Sequence, residues 1–178
     1  CRAQNGTFLQ AGTAVERGVL SYYATAALAS AATMAEWLET IRRLVASDID
    51  SRVLATAAQG VYRIENLKGL TPERVQRFFL RGKGANAGLA RVKPELTRAI
   101  EFISVNLIRD DWPFREPFDV VFCRNVMIYF DAPTQRRVLE KIHRVLKPGG
   151  MLFVGHAENF SESRDLFSLH GKTVYERR

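Results

Sequence analysis

The stretch from Phe118 to Gly155 constrains the fold more than any other part of the chain. "FDVVFC" (118–123) is a short apolar run of the kind that forms a fully buried strand. "TQRRVLEKIHRVL" (134–146) puts Val138, Leu139, Ile142, Val145 and Leu146 on one face at helical spacing. Asp131 and Pro133 stand where a helix cap and first turn belong. "KPGG" (147–150) is expected to stop that helix, and "MLFVG" (151–155) reads as a second buried strand. Strand, helix and strand with short links make a βαβ unit of a parallel sheet, so the predicted fold class is α/β.

Other segments extend the pattern. "RLVASDID" (43–50) is a strand that runs into acids, and the "SRVLATAAQGVY" behind it is helical. "IEFISVNLI" (100–108) is a further strand, and "KTVYER" (172–177) is expected to close the sheet. Residues 63–98 interrupt this order as an insertion. "TPERVQRFFL" opens with a Thr-Pro helix signal, and "RGKGANAGLARV" holds Gly82, Gly84 and Gly88 within seven residues. That density predicts a tight hairpin or loop rather than a phosphate cradle.

The insertion also carries the charge. From Tyr62 to Arg98 there are nine Lys or Arg against three acids, against a net +7 for the whole chain. Either this is a solvated basic face or it meets an acidic partner: nucleic acid, anionic lipid or an acidic protein surface. With 178 residues, 47% hydrophobic and 25% charged, the chain suits one ordinary globular domain. No stretch approaches ~20 uninterrupted apolar residues, so no membrane insertion is expected. Cys1 and Cys123 suggest no disulfide framework, and a reducing cytoplasmic setting is the expectation. Three histidines and two cysteines show no metal-ligand spacing. Starting at Cys1, the chain reads as part of a longer protein.

In an open parallel sheet, ligands bind beyond the carboxyl ends of the strands. Those ends here are "SDID", "VNL" and "CRN", so Asp48, Asn106, Arg124 and Asn125 are expected on one edge. A carboxylate there suits a ribose diol, from which it accepts two hydrogen bonds. Asp48 fits that role better than Asp50. Each residue also has a plainer reading: Asp48 as a helix cap, Asn106 as a turn residue, Arg124 as a surface ion pair. His156 follows a strand and is a further candidate, while His143 is expected to face solvent and Cys123 to be a small core residue.

"FDVVFCRNVMIYFDAPTQRRVLEKIHRVLKPGGMLFVGHAENF", with "VASDIDSRVLATAAQGVY" and "ISVNL" before it, resembles the CheR-type chemotaxis receptor methyltransferases. The resemblance runs over roughly residues 41–176. It implies a Rossmann-like, S-adenosylmethionine-dependent methyltransferase sheet with a small inserted β-subdomain at about 63–98. The domain would span 41–178, after an atypical segment 1–40, helical in part. It implies methyl transfer to glutamate side chains of a chemoreceptor cytoplasmic domain, with S-adenosylhomocysteine as product and no metal. By the same resemblance Asp48 contacts the adenosine of the cofactor and Asn106 and Leu107 lie on its adenine side. Arg124 and Asn125 line the cofactor and methyl-transfer site, and Tyr129 sits near the reaction centre. In members that dock on a C-terminal tether peptide of the receptor, the subdomain carries an Arg-Gly…Gly-Leu…Arg pattern. Here Arg81, Gly82, Gly84, Gly88 and Arg91 match it.

The front departs from the family. No "STGEEPYS"-like cofactor loop is visible, and residues 1–32 match no family stretch, although "TMAEWLET" (33–40) looks like the helix after that loop. The central strand and half of the cofactor pocket are therefore expected to be missing or scrambled, and a docking module without catalysis is a rival reading. A nucleic-acid methyltransferase or binder, suggested by a pI near 9.8, fits less well. "CRNVMIY" lacks the Asn-Pro-Pro-aromatic stretch of base-modifying relatives, and the basic patch lacks interleaved aromatics.

Overall fold

The computed structural model describes residues 6–11, 41–155, 160 and 163–178. Among the described residues, ten strands form two sheets. The larger has seven strands in the order β6-β2-β1-β7-β8-β10-β9. These are β1 (Gly6–Ala11), β2 (Ile41–Asp48), β6 (Ile100–Ser104), β7 (Phe118–Cys123), β8 (Leu146–Val154), β9 (Phe167–Gly171) and β10 (Val174–Arg177). β1 pairs in parallel with both β2 and β7, β2 with β6, and β7 with β8. β10 is antiparallel to β8 and β9.

The expectation that the central strand is missing does not hold. Gly6–Ala11 lies between β2 and β7, with Ala11 level with Ser47 on one side and Cys123 on the other. The loop after it and the stretch read as a helix at 33–40 lie outside the described residues, as does His156.

The βαβ unit forms as read, with two shifts. Helix α4 (Ala132–Val145; the earlier helices are given below) starts on Asp131, whose Oδ1 accepts the Thr134 N–H at 2.9 Å. "KPGG" does not separate helix from strand: β8 begins at Leu146, opposite Phe118, and residues 147–150 bulge before Met151 rejoins Val120. Lys147 Nζ to Asp119 Oδ1 at 2.8 Å ties the bulge to β7. The closing strand comes with a partner the sequence reading missed, β9, so the sheet ends in a hairpin. His143 is half-buried rather than solvent-facing: its ring meets Phe167 edge-on at 5.7 Å and lies 3.3 Å from the Arg178 carbonyl.

Val138, Leu139 and Ile142 of α4 bury against Val121, Leu146, Leu152 and Val154 of the sheet. Fully burying such a side chain is worth roughly 1.5–3 kcal/mol, so this layer dominates the fold. Cys123 is buried in the same layer, as read. Helix α1 (Ser51–Gln59) follows β2 and is capped by Asp50, whose Oδ1 accepts the Arg52 N–H at 2.8 Å.

The insertion forms its own three-stranded antiparallel sheet, β3 (Val61–Arg63), β5 (Leu89–Val92) and β4 (Phe79–Arg81), in that order. Helices α2 (Pro72–Phe78) and α3 (Pro94–Arg98) flank it. Tyr62, Phe78, Phe79, Ala90, Val92 and Leu96 form its core, which also takes in Leu44 of β2.

Candidate functional site

β1 is the point from which the parallel sheet grows in both directions. β2 and β6 extend to one side and β7 and β8 to the other, which makes the carboxyl edge at β1 the binding crevice of such a sheet. All five strands run the same way, so the residues just past their ends share that edge. β2 ends at Asp48, β6 leads to Asn106 and Leu107, and β7 leads to Arg124 and Asn125. The structure thus brings together the four residues read from the strand ends.

Asp48 is 3% exposed. Its Oδ1 accepts the Asp50 N–H at 2.9 Å, while Oδ2 is buried with no hydrogen-bond partner among the described residues. Burial is the main cause pushing its pKa up, against the backbone N–H groups of Asp50 and Ile49. A buried carboxylate oxygen without a donor is costly unless something supplies one. A diol does so, and Asp48 Oδ2 is the observation that fits an adenosine-bearing cofactor here. Asp50 is the helix cap and is ion-paired with Arg52 at 3.1 Å, so the cap reading belongs to Asp50 and not to Asp48.

Asn106 holds a turn. Its Oδ1 accepts the Ile108 N–H at 2.9 Å and its carbonyl accepts Trp112 Nε1 at 3.2 Å. Ser104, Val105, Asn106, Arg109, Trp112 and Pro113 help line an open cleft of about 320 Å³ beside it. Leu107 is partly buried against the main core. Arg124 is half-buried, and Asn125 adopts φ +59°, a left-handed conformation that asparagine tolerates better than most residues. The chain kinks here after β7, and Val126 and Met127 return to the core straight afterwards.

Beyond it, Met127 is fully buried and anchors a short 3₁₀ turn, Met127–Tyr129, which leaves Tyr129 60% exposed. Gln135, which the sequence reading missed, pins this turn: its Nε2 donates to the carbonyls of Met127 (2.9 Å) and Phe130 (3.0 Å). Its only sequence signal is an amide in the first turn of a helix that follows a site loop.

The insertion residues form a separate group. Gly82 has no room for a side chain, since a Cβ would sit 2.0 Å from the Asn86 carbonyl oxygen. Gly84 and Gly88 have φ of +56° and +83°. Hairpin geometry alone accounts for all three glycines. Arg91 lies on the central strand in a row with the exposed Val61 and Leu80, and Arg81 lies one row on, opposite Ala90. Side chains alternate along a strand, so the two arginines start from opposite faces, and Arg63 shares the face of Arg91. β3 and β4 are edge strands. Tyr62, Phe78 and Phe79 are buried, which leaves no aromatic platform among the described residues of the basic region. Among the described residues no group of His, Cys, Asp or Glu is placed to hold a metal, and no helix is long and apolar enough to cross a membrane.

Residues 19–176 match the family described as CheR methyltransferase, SAM binding domain. The chain is 56% identical over 131 residues to a chemotaxis protein methyltransferase of Klebsiella aerogenes, covering 73% of this chain and 45% of that one. A protein of the same name from Salmonella typhimurium is 45% identical over 176 residues, covering 98% and 59%. The chain therefore spans about half the length of the curated relatives it matches. Among solved structures, the N-methyltransferase NodS from Bradyrhizobium japonicum WM9 with S-adenosyl-L-homocysteine superposes with a TM-score of 0.52. That match has 12% identity and covers 98% of this chain and 79% of NodS. It shows the fold: the sheet is that of a methyltransferase.

Proposed function

The chain belongs to the CheR methyltransferase family, and on that premise we propose that it methylates glutamate side chains on the cytoplasmic domain of chemoreceptors. The observation that carries the site is the orphaned Asp48 Oδ2 at the crevice edge of the sheet. S-adenosylmethionine, when bound, supplies a methyl group on a positive sulfonium that a carboxylate oxygen can displace. A glutamate is already ionised at neutral pH, so no residue here has to take a proton from it. What remains for the chain is to bind, to align and to keep water away.

Asp48 takes the ribose hydroxyls, and Asn106 and Leu107 form the adenine side. Arg124 and Asn125 line the transfer site from the kink after β7. Arg124 acts best on the cofactor side, because a tight pair with the incoming glutamate would lower that carboxylate's reactivity. Tyr129, exposed at the rim, positions the substrate. The insertion is the docking subdomain: a receptor tether peptide adds as a strand at one of its free edges, and Arg81 and Arg91, from opposite faces of the small sheet, each meet an acidic group on it. The local positive charge steers it toward an acidic receptor surface.

The test is to incubate the chain with S-adenosylmethionine and a chemoreceptor cytoplasmic domain and to search the receptor peptides for base-labile methyl esters by mass spectrometry. Esters on glutamate, absent with Asp48→Asn, are the expected result. A folded chain that binds S-adenosylhomocysteine and the receptor but esterifies no glutamate would refute the proposal and leave the docking-only reading.

A further inference from the structure

The connection from β6 to β7 contains no helix. Right-handed crossovers place it on the same sheet face as α4, because both connections move in the same direction across the sheet. Residues 105–117 therefore pack beside α4 without the backbone hydrogen bonds that a helix would supply to itself. Buried carbonyls in such a segment need donors from elsewhere.

Lys141 supplies them. It lies on the buried side of α4 with Val138 and Ile142 and is 6% exposed. Its Nζ donates to the carbonyls of Ile108 and Arg109, both at 2.8 Å, and lies 3.3 Å from Asp110 Oδ1. The same ammonium stands over the Trp112 ring, 5.6 Å from its centroid. Asp110 is 95% exposed, so the ion pair contributes little. The two part-buried carbonyl bonds and the ring contact of the buried ammonium carry the interaction. Trp112 in turn donates to the Asn106 carbonyl and meets Phe114 edge-on, and Phe114 meets Phe118 of β7. One ammonium thus holds the loop whose residues Asn106, Arg109 and Trp112 line the cleft at the sheet edge.

We infer that Lys141 is a positioning residue for the cofactor site: by clamping the 106–112 loop onto α4 it preforms the adenine-side wall before any cofactor arrives. The inference rests on the reading of that cleft as part of the cofactor site. It assigns Lys141 no contact with cofactor or substrate. A preformed wall lowers the ordering cost of binding, so its loss is read in affinity rather than in the transfer step.

The test uses the full 178-residue chain as wild type, Lys141→Met and Lys141→Gln, with S-adenosylhomocysteine as the probe. Met keeps the length and removes the donors, while Gln keeps a neutral amide NH2 donor group and serves if the Met variant does not fold. Calorimetry is expected to give roughly ten- to a hundredfold weaker binding for Met, the equivalent of one hydrogen bond to a charged group, with Gln between. Hydrogen exchange is expected to speed up at residues 106–112 while β7 and the rest of α4 keep their protection, a pattern that general destabilisation does not produce. If wild type binds and both variants bind equally well, the role given to Lys141 is wrong. Loop exchange that stays unchanged in the variants also overturns it. A folded wild-type chain that binds no S-adenosylhomocysteine overturns instead the reading of the cleft on which the inference rests.

Discussion

Replacing Asp48 by Asn separates binding from folding. In the folded chain Oδ1 accepts the Asp50 N–H, a bond that the Asn carbonyl can keep. Asp48 is 3% exposed and its buried Oδ2 has no donor among the described residues, so the carboxylate is costly until a ligand pairs with it. The Asn variant removes that charge and buries an amide N–H₂ in its place, at about 1–3 kcal/mol if unpaired. The two changes oppose each other, and the expected stability at pH 7 is within ~1 kcal/mol of wild type or above it.

Binding behaves differently. Two diol hydroxyls on a carboxylate are hydrogen bonds to a charged group, worth about 1.5–3 kcal/mol each. Losing them weakens S-adenosylhomocysteine at least a hundredfold, since 1.4 kcal/mol is about tenfold. Calorimetry and thermal melts on the same samples read both quantities. The pH dependence adds a signature. Asp48 has its pKa raised above 3.8 by burial. Between 3.8 and that raised value the folded chain holds more protons than the unfolded one, so this residue's contribution to stability falls as pH rises. Cofactor binding gains over the same window because it needs the carboxylate. The Asn variant loses both trends. An affinity for S-adenosylhomocysteine within threefold of wild type would refute the ribose role of Asp48.

Three further outcomes are expected. Asp165 is held at about 2 by its two-pronged pairing with Arg136, so its contribution to stability is present above 3.8 and lost as pH falls toward 2. Acid melts of Arg136→Met should lack that loss, and an unchanged acid slope counts against the pairing. Gly82→Ala forces a Cβ into the Asn86 carbonyl and should destabilise the hairpin by roughly 1–3 kcal/mol, read as a lower melting midpoint; an unshifted midpoint contradicts the packing. Gln135→Leu removes the side-chain donor shared by the Met127 and Phe130 carbonyls and leaves the Phe130 N–H on Met127 in place; it should reduce kcat for receptor methylation roughly tenfold or more while cofactor affinity holds, and a loss confined to affinity contradicts the assignment to the Tyr129 turn.

Much of this architecture was legible in the sequence because burial on both faces leaves continuous apolar runs. Phe118–Cys123 and the apolar arc of α4 are examples, and the strand-end rule then put Asp48, Asn106, Arg124 and Asn125 on one edge. The central strand was not legible. Gly6–Ala11 is six residues long and joins two neighbours through backbone pairing, which no local pattern reports. "KPGG" looks like a helix stop, but the helix has ended at Val145 and β8 has begun at Leu146, so these residues form a bulge within β8 that Lys147 ties to Asp119 across the strand. Lys141 read as one more charge on an amphipathic helix. Its signal was position: it borders the apolar arc beside Val138 and Val145, where a cation needs partners. Those partners are backbone carbonyls more than thirty residues away in sequence, which composition cannot reveal.

The central claim is that the crevice edge beside Asp48 is a cofactor site. A crystal structure of this chain with S-adenosylhomocysteine tests it most directly. The expected density puts the ribose hydroxyls on Asp48 Oδ2, with the adenine in the cleft beside Asn106 and Trp112. Ligand density away from the end of β2, with Asp48 Oδ2 still without a donor, would contradict the claim.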